Sequence, residues 1–93
     1  MDPNVMLEDI KYLMNEIIED RTIPRNIRGL VNQALDTIEK GDSDLSARLA
    51  QAITYLDEAV NDMNIPDHAR TEIWNLVAEI QKLIEILKNK EWY

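Results

Sequence analysis

The sequence predicts an all-α four-helix bundle made of two tandem helical hairpins, and three observations carry that expectation. Residues 5–40 align with residues 47–82 at a constant offset of 42, through Leu7/Leu49, Glu16/Glu58, Asp20/Asp62, Ile23/Ile65, Pro24/Pro66, Arg28/Arg70, Ile38/Ile80 and Lys40/Lys82. Apolar residues recur at spacings of three and four along four separate stretches. Only two Gly and three Pro interrupt the 93 residues. A repeat of about 40 residues belongs to paired-helix architectures, in which one unit cannot bury its apolar face alone. A chain of this length makes one small domain, here residues 1–93, with repeats at about 5–40 and 47–82 and a C-terminal tail at 88–93.

Asp2-Pro3 reads as an N-cap followed by a Pro that needs no amide hydrogen, so the first helix is expected at about 3–19, with Leu7, Ile10, Leu13, Met14 and Ile17 on its apolar side. Thr22-Ile23-Pro24 ends it, because the residue before Pro is pushed out of the α region, and a tight turn at 20–23 should join two antiparallel helices. Ile27, Val31, Ala34 and Ile38, flanked by Leu30 and Leu35, give the stripe of the second helix, which Lys40-Gly41 terminates. Asp42-Ser43-Asp44 caps the third, whose stripe is Leu45, Leu49, Ala52, Leu56, Ala59 and Met63 before Asn64-Ile65-Pro66 repeats the earlier break. The fourth runs from about 66 to 89 through Ala69, Ile73, Leu76, Ile80, Leu83 and Leu87. Spacing near 3.5 is that of helices crossing at about +20°, the geometry of a four-helix bundle.

Composition narrows the function classes. No Cys means no disulfide, redox centre or thiolate metal site, which fits a cytoplasmic protein. MDPNVMLEDI lacks a basic region followed by an apolar core, so no signal peptide is expected, and no apolar run is long enough to span a membrane. The net charge of -8 divides into -4 over residues 1–42, -4 over 43–84 and zero over 85–93, so no basic half is hidden. Such a chain repels phosphate backbones, and nucleic-acid binding is not expected beyond a weak contact through Arg21, Arg25 and Arg28.

The repeated segment, DRTIPRNIR against DMNIPDHAR, carries two resemblances. Asp20, Pro24, Ile27, Arg28, Ala34 and Leu35 fall close to the pattern of HEAT-type helical repeats, and the resemblance implies that Asp and Arg hold turns together rather than bind ligands. TIPRNIR and NIPDHARTEIWN, set at the starts of two helices in a small acidic helical chain, resemble the short archaeal proteins of uncharacterised protein family 0147. That resemblance implies a helical bundle in an archaeal cytoplasm and brings no activity with it.

Residues able to do chemistry are few. His68 is the only histidine, and Asp67 beside it points about 100° away on a helix, so the two cannot converge on one metal ion. Ser43, Ser46, Thr54 and Thr71 have no triad partners, and both glycines are isolated, which excludes a phosphate-cradling loop. Tyr12, Tyr55 and Trp74 lie near the apolar stripes and are expected in or beside the core. Glu16, Glu19 and Asp20 face Arg21, Arg25 and Arg28 across the first turn, each cluster at the wrong end of its own helix dipole, so interhelical ion pairs should close the hairpin. Structural turn roles are expected for Asp20, Pro24, Arg28, Asp62, Pro66 and Arg70, with Arg28 and Arg70 bonding to carboxylates, Asp20 or Asp62, or to helix-end carbonyls. The function that follows is a non-catalytic scaffold or protein-interaction module without a cofactor, not an enzyme; the alternative is a bundle that binds a small ligand or metal. Its partner would be a protein or a second copy in a homodimer, with Leu83, Ile84, Leu87, Trp92 and Tyr93 as the expected contact surface.

Overall fold

The computed structural model describes residues 2–90, which form four helices: α1 Pro3–Glu19, α2 Arg25–Lys40, α3 Leu45–Val60 and α4 Asp67–Lys90. Their starts have local causes. The Asp2 carboxylate accepts from the Asn4 amide at 2.9 Å, and Asp44, 42 residues on, accepts from the Ala47 amide at 2.9 Å. Each satisfies one of the amides that a helix start leaves without a partner. Pro24 and Pro66 stand one residue ahead of α2 and α4, where their carbonyls accept the first helical bonds, from Arg28 and Arg70 at 3.1 and 3.0 Å.

Each helix packs on two neighbours: α1 on α2 and α4, α3 on α2 and α4. This is an up-down-up-down square, with the α1–α2 and α3–α4 turns at one end and the α2–α3 turn at the other. The interior is wholly apolar among the described residues, and Met14, Ile27, Leu49, Leu56, Ile73, Leu76, Ile80 and Leu83 are fully enclosed. At ~25 cal/mol per Å² such burial dominates the favourable side of folding.

Four expectations need correction. α3 stops at Val60 and Met63 is 96% exposed, because the Asp62 carboxylate draws the Asn64 amide to 2.8 Å and turns the chain before another helical turn can form. Tyr12 and Trp74 are 65% and 56% exposed. The stripe that faces inward on α1 is Met6, Ile10, Met14 and Ile17, and Tyr12 projects two residues off it. Leu83 is fully buried, so it cannot belong to a contact surface; Ile84 and Leu87 are half-buried against the core.

The α2/α3 and α1/α4 seams are not packed with side chains of equal size. Ala34 on α2 and Ala52 and Ala59 on α3 stand where Leu76, Ile10 and Ile17 stand on α4 and α1 at the 42-residue offset. All six are buried. Interaxial distance follows the size of the side chains at the contact, so the alanines favour a close approach of α2 and α3. Accordingly α2 and α3 are the most extensively packed pair.

Candidate functional site

The turn end of the bundle is tied by reciprocal polar links. Asp20 accepts at one oxygen from the Thr22 amide at 2.9 Å and hydroxyl at 2.6 Å, and Asp62 accepts from the Asn64 amide at 2.8 Å. Each turn is then bridged to the start of a helix in the other hairpin. Asn26 on α2 donates to Asp62 at 2.7 Å, while His68 on α4 lies 3.0 Å from the Thr22 hydroxyl and 3.7 Å from Asp20. Asn26 and His68 are themselves 42 residues apart, so the bridges are related by the repeat. The Thr22 hydroxyl, and after it the Thr22 amide, hold the Asp20 carboxyl below its ordinary pKa; partial desolvation opposes them and His68 adds a lesser pull.

The arginines do not make the expected ion pairs. Arg28 donates through Nε to the Ile23 carbonyl of the turn at 2.9 Å and through Nη1 to the Ile18 carbonyl at 3.5 Å, one of those the last turn of α1 leaves unsatisfied. Arg48 makes the same two reaches at the other end, to Ser43 at 2.9 Å and to Ile38. Arg70 instead lies 3.8 Å from Asp67, the residue that replaces Arg25 in the second repeat and offers a nearer anion. Arg28, Arg48 and Arg70 are each the fourth residue of their helix, a register that marks Arg48 in the sequence although the repeat puts Met6 at its counterpart. Arg21 and Arg25 are exposed and form no ion pair among the described residues, and with Arg28 committed to carbonyls the three make no anion cradle.

The concave surface with ligand-binding character lies along the seam between α1 and α4. Near the turn it is a depression of about 150 Å³ lined by Leu13, Glu16, Ile17, Asp20, Glu72 and Asn75. It continues over Asp9, Ile10, Tyr12, Leu13, Asn75 and Glu79. The floor is Ile10 and Ile17 with Leu13, which is 40% exposed; the walls are five carboxylates. Glu16, one turn beyond Tyr12, raises the phenol above its ordinary pKa, by hydrogen bonding first and charge second. Sequence reasoning missed this groove, since its carboxylates sit on two helices far apart in the chain and only the closing of the square brings them together. Of the expected contact residues, Trp92 and Tyr93 lie outside the described residues.

A small acidic helical bundle with wholly apolar packing and one open acid-walled seam is the class of protein so defined. The chain belongs to the uncharacterised protein family UPF0147, whose family model matches residues 1–87. It is 40% identical over 81 residues to the UPF0147 protein MJ1419 of Methanocaldococcus jannaschii, covering 87% of each chain. It is 34% identical to a UPF0147 protein of Methanothermobacter thermautotrophicus, covering 88% of this chain and 80% of that one. Two crystal structures share the fold. A protein of unknown function, MMP1188, superposes with a TM-score of 0.82 at 40% identity, covering 86% of this chain and 91% of that one. A UPF0147 protein from Thermoplasma acidophilum gives 0.81 at 28% identity, covering 86% and 94%.

Proposed function

We propose that this chain is a non-catalytic helical module of the archaeal cytoplasm that binds another protein through the α1/α4 seam. The observation that carries the reading is the exposure of Tyr12 and Leu13 along a groove flanked on both helices by carboxylates; Met63 and Trp74, also exposed, line a separate depression beside Arg70 at the α3–α4 turn. General acid–base work needs desolvated or coupled titratable groups, and no polar side chain is buried among the described residues. Nor do three His, Asp or Glu side chains converge there as a bound metal ion would require. No described helix is long and apolar enough to cross a membrane.

Affinity capture with three forms tests the reading: the parent, Leu13→Arg in the groove, and Gln33→Arg at the position related to Asn75 in the opposite seam. A protein retained by the parent and by Gln33→Arg, and lost by Leu13→Arg, is the expected outcome. Equal recovery by all three forms, or recovery of nucleic acid alone, would count against it.

A further inference from the structure

We propose that the α1/α4 groove is the docking site of a cationic amphipathic helix from another protein, whose apolar stripe covers Tyr12 and Leu13 while its Lys and Arg side chains pair with the groove's carboxylates. The proposal rests on the interaction-module reading and adds the chemistry of the partner.

Charge is the first argument. Asp9 and Glu16 on α1 and Asp20 at its end face Glu72 and Glu79 on α4, and among the described residues Lys82, 3.6 Å from Glu79, is the one lysine or arginine that answers them, with the His68 imidazole 3.7 Å from Asp20. Asp9, Glu16 and Glu72 have no ion-pair partner there. Two rows of like charge flanking an apolar floor are complementary to a stripe of Leu-type residues edged by Lys or Arg, and they steer such a segment into register.

Shape is the second. On α1 the wall residues fall at positions 9, 16 and 20 around Tyr12 and Leu13, and on α4 at 72, 75 and 79; these are the four and three spacings at which a neighbouring helix presents its own side chains. From Asp9 to Asp20 the groove runs for about 16 Å at ~1.5 Å per residue, the length of three helical turns.

The molecule's own symmetry supplies the third argument. At the 42-residue offset, Leu13 corresponds to Tyr55 and Glu72 to Leu30, and both of those pack half-buried against the core. Asp9, Glu79 and Asn75 correspond to Gln51, Thr37 and Gln33. The α2/α3 seam therefore has half-buried apolar groups at these two places and keeps two of the five carboxylates, Glu58 and Asp62, whereas the α1/α4 seam carries all five. A second copy of this chain cannot dock groove to groove, because it brings the same carboxylates and a net charge of -8.

The test uses the full chain and a three-heptad peptide with Leu at the a and d positions and Lys at e and g. Titration followed by calorimetry and by amide chemical shifts should give saturable one-to-one binding, with shifts confined to residues 9–20 and 72–79. Leu13→Arg and Glu72→Lys should each weaken it at least tenfold, and Gln33→Arg should leave it within twofold. Both groove positions are exposed, so the variants keep the parent's circular dichroism. Added salt should weaken binding, as screening of rim charges requires. Shifts on α2 and α3, or Leu13→Arg without effect, would overturn the site. Binding of the same peptide with Glu in place of Lys, as tight or tighter, would overturn the cationic partner while leaving the interaction module standing. If neither peptide binds and affinity capture also recovers the same proteins with parent and Leu13→Arg, both readings fall.

Discussion

The α2/α3 seam and the α1/α4 seam each join one helix of each hairpin and are equivalent under the 42-residue repeat, yet they differ in the size of their inner side chains and in their outer charge. The difference starts inside. Ala34, Ala52 and Ala59 let α2 and α3 approach, and Leu30 and Tyr55 are half-buried against the core. Leu76, Ile10 and Ile17 take the matching places on α4 and α1, where Glu72 and Leu13 meet solvent.

The largest effect should come from reversing that size difference. Ile10→Ala is expected to destabilise by about 2–5 kcal/mol, and Ala52→Ile, its counterpart, by about 1–3 kcal/mol through overpacking. Urea unfolding measures both, and against a total of roughly 5–15 kcal/mol either is easily seen. If Ala52→Ile were neutral, the alanines would not be what sets the approach of α2 and α3.

The next pair exchanges the seams' outer residues. Leu30→Glu removes half-buried apolar surface and should cost about 1–2 kcal/mol, whereas Glu72→Leu should leave the unfolding midpoint unchanged or raise it. Equal losses from both would mean that the two seams are alike in energy and that the contrast is one of charge alone.

How much of this could be read from the sequence depends on how local the cause is. The turn at 20–23 and its copy were legible because Asp20, Pro24, Asp62 and Pro66 act on their own backbone within a few residues. The core stripes were legible from spacing, apart from Met63, whose spacing continues the pattern past a turn that Asp62 forces. The ion pairs expected at the first turn do not form among the described residues, and the other expectation for Arg28, a bond to a helix-end carbonyl, is met: an arginine at the fourth helical position reaches the Ile18 carbonyl of the preceding helix and the Ile23 carbonyl of the turn before any carboxylate. The groove was not legible at all: Asp9 and Glu79 become neighbours only through the packing of the first helix on the last.

The two glycines sharpen the contrast at the α2/α3 seam's far end. A Cβ on Gly41 would lie 2.6 Å from Arg48 Cδ and 2.8 Å from the Thr37 carbonyl oxygen, so Gly41→Ala must displace the arginine that ties α3 to the end of α2. A loss of about 1–2 kcal/mol is expected. Gly29 has nothing within 4 Å of its Cβ position and sits inside α2, so Gly29→Ala should stabilise by about 0.5–1 kcal/mol. Thermal unfolding should rank the three proteins Gly29→Ala, parent, Gly41→Ala, and any other order breaks the assignment of Arg48 as the strut.

The smallest effect distinguishes the two bridges at the turn end. Asp20 and Asp62 make the same backbone turn, but Asp20 gains the Thr22 hydroxyl, which has an amide side chain, Asn64, as its counterpart. That hydroxyl is the leading cause of the depressed Asp20 pKa. A carboxyl whose folded pKa lies below its unfolded value binds fewer protons in the folded state; the stability it lends is complete above the unfolded pKa and is lost as the pH falls through the folded one. Carbon-detected NMR titration should therefore place the Asp20 midpoint below 3.8, the ordinary carboxyl value. Thr22→Val keeps the amide bond and removes the hydroxyl, so the midpoint should rise part of the way back, and acid unfolding should begin at a correspondingly higher pH. His68→Asn, which copies the bridge at Asn26, should move it less, because the imidazole is the lesser of the causes. A midpoint indifferent to Thr22→Val but sensitive to His68→Asn would show that the bridge between hairpins, and not the turn's own hydroxyl, holds the Asp20 carboxylate in its ionised form.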